Sequence, residues 1–188
     1  EEISISEKTF GRAPDLWDIL VSFHQAVITL EEDLELQPCN RKEINPIKCC
    51  INGKGHTIRV KQFPILRNTD ICIINTRFDC ESAEGDFIYG IGKDDSSFEV
   101  RNCTFVNVPG LSSVICARHY SHTLIEGNAI TGVLSDSSRH LNNASRNIFV
   151  YECSGEVTVK GNTVQTAYGM GISGIQFKED ESSRVLIE

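Results

Sequence analysis

Phe98–Val108, FEVRNCTFVNV, reads as a short alternating strand, a sharp asparagine-bearing turn and a second short strand. Variants recur at Ile71–Glu81 (ICIINTRFDCE), Thr123–Val133 (TLIEGNAITGV) and Val157–Ala167 (VTVKGNTVQTA). Taking the residue two before the turn as an anchor gives Ile73, Val100, Ile125, Val159 and, incompletely, Ile187, at intervals of 25 to 34 residues. Self-similarity at such a period marks stacked repeats, each unable to bury its inward face alone. Every unit then runs through a polar loop to a third short apolar run: Phe87–Ile91, Val114–Ala117, Asn147–Tyr151 and Ile172–Phe177. A hairpin is the default reading of two strands joined by an Asn-Gly turn such as Asn52-Gly53. Recurrence of three strands per unit replaces it with an all-β solenoid, a parallel β-helix.

The expected organisation is one domain over residues 1–188, with about six coils from 26 to 188. Residues 14–25 are expected to form a capping helix: Leu16, Ile19, Leu20 and Phe23 share one helical face with Trp17 beside them, and Pro14 suits a first helical position. Such a helix would cover the open end of the stack, as terminal units do in solenoids. Ahead of it, Ile3 and Ile5 alternate with serines, giving an edge strand or a lead-in. Arg184–Glu188 reads as the start of a further coil, so the domain is expected to be truncated there, with more chain, or a second copy as in a homo-oligomer, at that end.

The inward positions form expected columns, Ile73–Val100–Ile125–Val159–Ile187 and Phe78–Phe105–Ile130–Val164. Asparagine recurs at the turn, two residues after the anchor at Asn75 and Asn102 and three after it at Asn128 and Asn162. Asparagine tolerates the left-handed conformation and can bond neighbouring backbone, so these are read as one imperfect structural ladder.

A 188-residue chain with 40% hydrophobic and 23% charged residues is an ordinary globular composition. Its net charge of −8, without a Lys/Arg cluster, argues against nucleic acid as a partner. No apolar run is long enough to span a membrane. The eight cysteines show no CxxC pair or zinc-finger spacing, so no structural metal site is expected. Most are expected as buried ladder residues. Cys50 and Cys72 each precede an isoleucine at the anchor position, Ile51 and Ile73, and are the pair to test for a disulfide.

The Val-x-Asn-Cys-Thr-Phe and Ile-x-Gly-Asn-x-Ile units, with the preceding helix, resemble those of the right-handed parallel β-helix proteins of the pectate-lyase-like superfamily. The likeness covers about Pro14 to Glu188. It implies a carbohydrate-directed extracellular domain, secreted or on a virion or cell surface, and a polysaccharide partner. In that superfamily's usual order the strand before the asparagine turn belongs to the second sheet, the strand after it to the third, and the later apolar run to the first. The groove is then expected on the first sheet, walled by the loops Glu81–Asp86, Pro109–Ser113, Leu134–Arg146 and Tyr168–Gly171.

Counting seven residues back from the anchors lands on Lys93, Arg118, Glu152 and Asp180, and one further on, Asp94, His119, Cys153 and Glu181. A polysaccharide lyase would use Arg118 or Lys93 to abstract a proton beside a uronate carboxyl, with Ca2+ held by Asp94, Asp95 or Glu152. A glycoside hydrolase would set Asp94 or Asp95 and Glu152 about the glycosidic bond. The candidate catalytic set is therefore Arg118, His119, Lys93 and Glu152, and the candidate substrate-binding set Asp94, Asp95, His122 and Tyr120. The competing expectation is a non-catalytic structural or adhesive module, part of a tailspike, fibre or surface protein.

Overall fold

The structure, a computed structural model, describes residues 2–5, 16–22, 25–109, 111, 113–132, 146–165, 170–177 and 184–188. It is a right-handed parallel β-helix of three sheets. The second sheet stacks Glu2–Ile5, Gln25–Leu30, Lys48–Asn52, Asp70–Ile74, Ser97–Arg101, His122–Glu126, Glu156–Lys160 and Arg184–Ile187. The third stacks Leu34–Glu35, Thr57–Arg59, Arg77–Asp79, Thr104–Val108, Ala129–Gly132 and Thr163–Gln165. The first stacks Glu43–Ile44, Ile65–Arg67, Asp86–Ile91, Ser113–Arg118, Arg146–Cys153 and Met170–Phe177. From Gln25 onward the chain visits second, third and first sheets in rotation, and each strand pairs in parallel with its counterpart one coil away.

Register follows the apolar period. Ile51, Ile73, Val100, Ile125, Val159 and Ile187 lie in one row across the second sheet, and Ile58, Phe78, Phe105, Ile130 and Val164 in one across the third. A one-residue slip would turn every such side chain outward, which is why a half-buried strand holds its pairing so firmly. Phe78 and Phe105 stack at 5.0 Å, and Phe63 and Phe87 meet Phe78 edge-on. The series ends at the helix, Leu16–Ser22, where Trp17 meets Phe63 at 4.9 Å and donates its indole N–H to the Gln37 carbonyl at 3.0 Å. Leu16, Trp17, Ile19 and Leu20 are buried, as the helical spacing requires. The helix expected over 14–25 is observed for these seven residues; Gln25 instead opens a strand of the second sheet, and 14, 15, 23 and 24 lie outside the described residues. Glu2–Ile5 is a strand that continues the second sheet beyond Gln25–Leu30.

The asparagines correct the expected single ladder. Asn75 and Asn102 share their turn position with Gly127 and Gly161, and all four have positive φ, between 51° and 64°. The row beside it points inward. There Asn128 donates to the Val100 carbonyl at 2.9 Å and accepts the Cys103 N–H at 3.0 Å, while Asn162 repeats the pattern one coil on, donating to Ile125 and accepting the Asn128 N–H. The one-residue offset is thus two adjacent ladders, one chosen for backbone conformation and one for buried hydrogen bonding.

Candidate functional site on the first sheet

Strand alternation in the first sheet turns Gly90, Ala117 and Val150 inward, in one row. The residues on either side face out, and they form two rows: Tyr89, Cys116 and Phe149, and Ile91, Arg118 and Tyr151. The second row ends at a turn. Gly92 donates its N–H to the Arg118 carbonyl and His119 its N–H to the Tyr151 carbonyl, so Gly92, His119 and Glu152 are successive occupants of one turn position. In the coil before, Asn68 occupies it, bonded likewise to Ile91, with φ 54°. His119 and Glu152 keep the same left-handed conformation, φ 60° and 50°, which asparagine adopts readily and glutamate does not.

That turn brings Arg118, His119 and Glu152 together. Arg118 donates from Nε and Nη2 to Glu152 Oε2 at 3.2 and 3.1 Å, and His119 Nε2 lies 3.1 Å from the same oxygen. The Arg118 guanidinium stands 5.1 Å from the centre of the Tyr151 ring. Tyr151 stacks on Phe149 at 5.7 Å with the planes 24° apart, and Arg146 covers Phe149 at 4.1 Å. The result is an aromatic strip two rings long with a guanidinium over each ring.

The electrostatics hold both members of the ion pair in their charged forms. A hydrogen bond with Tyr89, then the one to Glu152, raises Arg118 above the ordinary arginine value. Partial burial works to raise Glu152, but hydrogen bonds with Arg118 and Tyr151 and the proximity of His119 outweigh it and bring the carboxyl below its usual range. Such shifts suit a residue that pairs with charge; proton transfer near neutrality asks for the opposite ones.

The other expected site residues lie elsewhere. Lys93, Asp94 and Asp95 are exposed on a tight turn in which Ser96 Oγ accepts from the Lys93 N–H and donates to its carbonyl. Asp95 has φ 63° and bonds its N–H to Ser121 Oγ. Counting back from the anchors therefore misaligned the coils: Ile91, Arg118 and Tyr151 share a row, whereas Lys93 stands two residues past that row and Glu152 one. Tyr120 is wholly buried, its hydroxyl bonded to the Thr69 carbonyl at 3.1 Å and its ring 5.2 Å from Phe98, so it belongs to the core and not to a ligand surface. His122 is exposed on the outer face of the second sheet, beside a cavity of about 220 Å³ that Glu99, Leu124, Glu156 and Thr158 also line. Asp180, Glu181 and most of the Leu134–Arg146 loop lie outside the described residues.

Tyr89, Phe149, Tyr151 and Arg146 were missing from the expected set, although period-2 alternation would have placed the three aromatic residues outward. Calcium does not fit here: Glu152 Oε2 is occupied by Arg118 and His119, and among the described residues no three His, Cys, Asp or Glu converge as a metal site requires. None of the described helices is long and apolar enough to cross a membrane. Compared with family models, curated protein sequences and solved structures, the chain has no significant match.

Proposed function

We propose that this chain is a carbohydrate-directed β-helix domain, related to the pectate-lyase-like superfamily and working outside the cell, which lays an acidic or complex polysaccharide along the outer face of its first sheet. The observation that carries the reading is the strip of Phe149 and Tyr151 under Arg146 and Arg118. Aromatic faces pack against the apolar faces of sugar rings, and guanidinium groups pair bidentately with carboxylates such as those of uronates. With a net charge of −8, the two guanidinium groups of the strip, one of them shared with Glu152, are the local feature that would select an anionic ligand against the background field.

Between the catalytic and binding versions, the protonation chemistry favours binding. A lyase base at Arg118 needs a lowered pKa, and its shift runs the other way; a hydrolase pairing Glu152 with Asp94 or Asp95 would use Glu152 as the ionised member, but Glu152 Oε2 is already held by Arg118 and His119. A polysaccharide-binding module, adhesive or structural, is therefore the form of the proposal we adopt.

The test is a panel of uronate-containing and neutral polysaccharides, read for binding by calorimetry and for turnover by absorbance of unsaturated products and by reducing ends. Binding to acidic members without turnover is expected. Arg118→Ala or Tyr151→Ala should weaken it about tenfold or more, as loss of a charged hydrogen bond or a cation–π contact does. Absence of binding to every member, or wild-type affinity in both variants, would overturn the proposal; product formation would replace its binding form with a catalytic one.

A further inference from the structure

Cys50 and Cys72 lie opposite each other in the parallel pairing of Lys48–Asn52 with Asp70–Ile74. Their chain neighbours Cys49, Ile51, Ile71 and Ile73 are buried in the interior, so alternation turns both cysteines to the outer face of the second sheet. Cys50 is 7% exposed and Cys72 half-buried. Strands in register are about 4.8 Å apart, inside the Cα separation of roughly 4.4–6.8 Å that a disulfide spans. The proximity of the two thiols separates them: Cys72 beside it holds the Cys50 thiol below its ordinary value, against burial and with help from Lys48, while Cys50 and burial raise Cys72.

Five of the other six thiols are differently placed. Cys103 and Cys153 point their sulfurs at main-chain carbonyls, of Ile73 and Arg101 and of Ala117 and Tyr151. Burial pushes Cys49, Cys103 and Cys116 up to about 12, and raises Cys80 and Cys153 as well. Thiols so buried are inert.

We propose that Cys50 and Cys72 form a reactive dithiol, which a hydroperoxide converts into a disulfide joining two successive coils. The Cys50 thiolate attacks the terminal OH oxygen of the peroxide; the O–O bond breaks, hydroxide (or the alkoxide of an organic hydroperoxide) leaves and Cys50 becomes a sulfenic acid. The Cys72 sulfur then attacks the Cys50 sulfur, the S–O bond breaks, and the Cys72 proton departs with the oxygen as water. The dithiol loses two electrons and the peroxide gains them. A small oxidant suits a sulfur as enclosed as that of Cys50. The two Cα–Cβ bonds leave the sheet side by side, so the Cβ atoms stand about 4.8 Å apart, wider than the roughly 3.5–4.5 Å of a relaxed bridge. Closure therefore draws the coils together, and the resulting bond is easily reduced.

The test is hydrogen peroxide added to the reduced full chain, followed by alkylation of the remaining thiols and peptide mapping without reduction. The expected product is a bridge between Cys50 and Cys72, retained in Cys49→Ser, absent in Cys72→Ser, and reversed by dithiothreitol. In untreated protein Cys50 should be alkylated about tenfold faster than Cys49, Cys80 or Cys103, because its thiolate fraction is higher. A bridge between other cysteines, a Cys50 sulfinic acid with Cys72 still free, or alkylation of Cys50 no faster than the buried thiols would each overturn the proposal. The alkylation and mapping of the unaltered chain need no variant to fold.

Discussion

Replacing an asparagine by glycine should have opposite consequences in the two ladders, and the contrast tests the whole account of the turn. Asn75 is exposed, has φ 51° and makes a side-chain contact only at 3.5 Å, with Asn52. Glycine there relieves the left-handed conformation while adding freedom to the unfolded chain, so Asn75→Gly should lie within about 1 kcal/mol of wild type. Asn128 is 1% exposed, and its side chain serves the Val100 carbonyl, the Cys103 N–H and Asn162 Oδ1. Asn128→Gly leaves two buried main-chain groups without these partners, at about 1–3 kcal/mol each, and adds about 0.5–1 kcal/mol for glycine flexibility, roughly 2.5–7 kcal/mol in all. At about 2–4 °C per kcal/mol for a chain of this size, the melting midpoint should fall by about 5–28 °C. Thermal melts and urea titrations read the stability, and amide exchange should quicken at Cys103, whose N–H loses its acceptor. Equal losses in the two variants, or a fall of less than about 2 °C in Asn128→Gly, would refute the separation into a conformational and a hydrogen-bonding ladder.

Three further outcomes follow from the same coordinates. Gly90→Ala would set a methyl 2.5 Å from the Tyr120 hydroxyl and 2.6 Å from Ile71 Cδ1, so it should destabilise by about 1–3 kcal/mol or more in urea titration. Tyr120→Phe removes the donor to Thr69 and should cost about 1 kcal/mol without altering polysaccharide affinity, which calorimetry on the acidic ligands would check. Because the folded-state pKa of Glu152 is depressed, its contribution to stability is present above the ordinary carboxyl value of 4.5 and is lost as pH falls through the lower folded value. Urea midpoints measured between neutral pH and acid should therefore fall less steeply below about pH 4.5 in Glu152→Gln than in wild type.

The second and third sheets were legible because their rows are joined by a turn of nearly constant length. From Ile73 to Phe78, Val100 to Phe105, Ile125 to Ile130 and Val159 to Val164 the count is the same, so one alignment carries both columns. The side chains in those columns are buried, and period-2 burial is a strong, repeated signal. The first sheet meets the second through a connection that varies: five residues separate Ile91 from Ser97, three separate Arg118 from His122, and two separate Cys153 from Glu156. Surface connections change length at little cost, so a count that crosses one loses its register, and Lys93 was drawn into a row to which it does not belong. The aromatic strip is masked in the sequence for another reason: Phe149 and Tyr151 sit within an apolar run, Asn147–Tyr151, in which only the period-2 alternation separates outward from inward residues.

What the corrected register adds is a reason to attend to His119 and Glu152 in particular. Asn68 shows that their turn position can be filled by a residue at ease in the left-handed region, and Gly92 shows that it can be filled without one. Histidine and glutamate there accept backbone strain, and two successive coils do so at the place where both side chains reach one another across Arg118. Strain of this kind persists only where surrounding structure over-determines it, and it concentrates at ligand clamps. Packing needs neither residue, since both are partly exposed, and a surface ion pair stabilises little. The arrangement is better understood as fixing the direction of the Arg118 guanidinium over Tyr151, so that the cation meets a ligand already oriented. If so, Glu152→Gln should weaken acidic-polysaccharide binding well beyond what the small loss of its ionic contribution takes from the neutral-pH melting midpoint, whereas a purely structural triad would shift the midpoint and leave affinity alone.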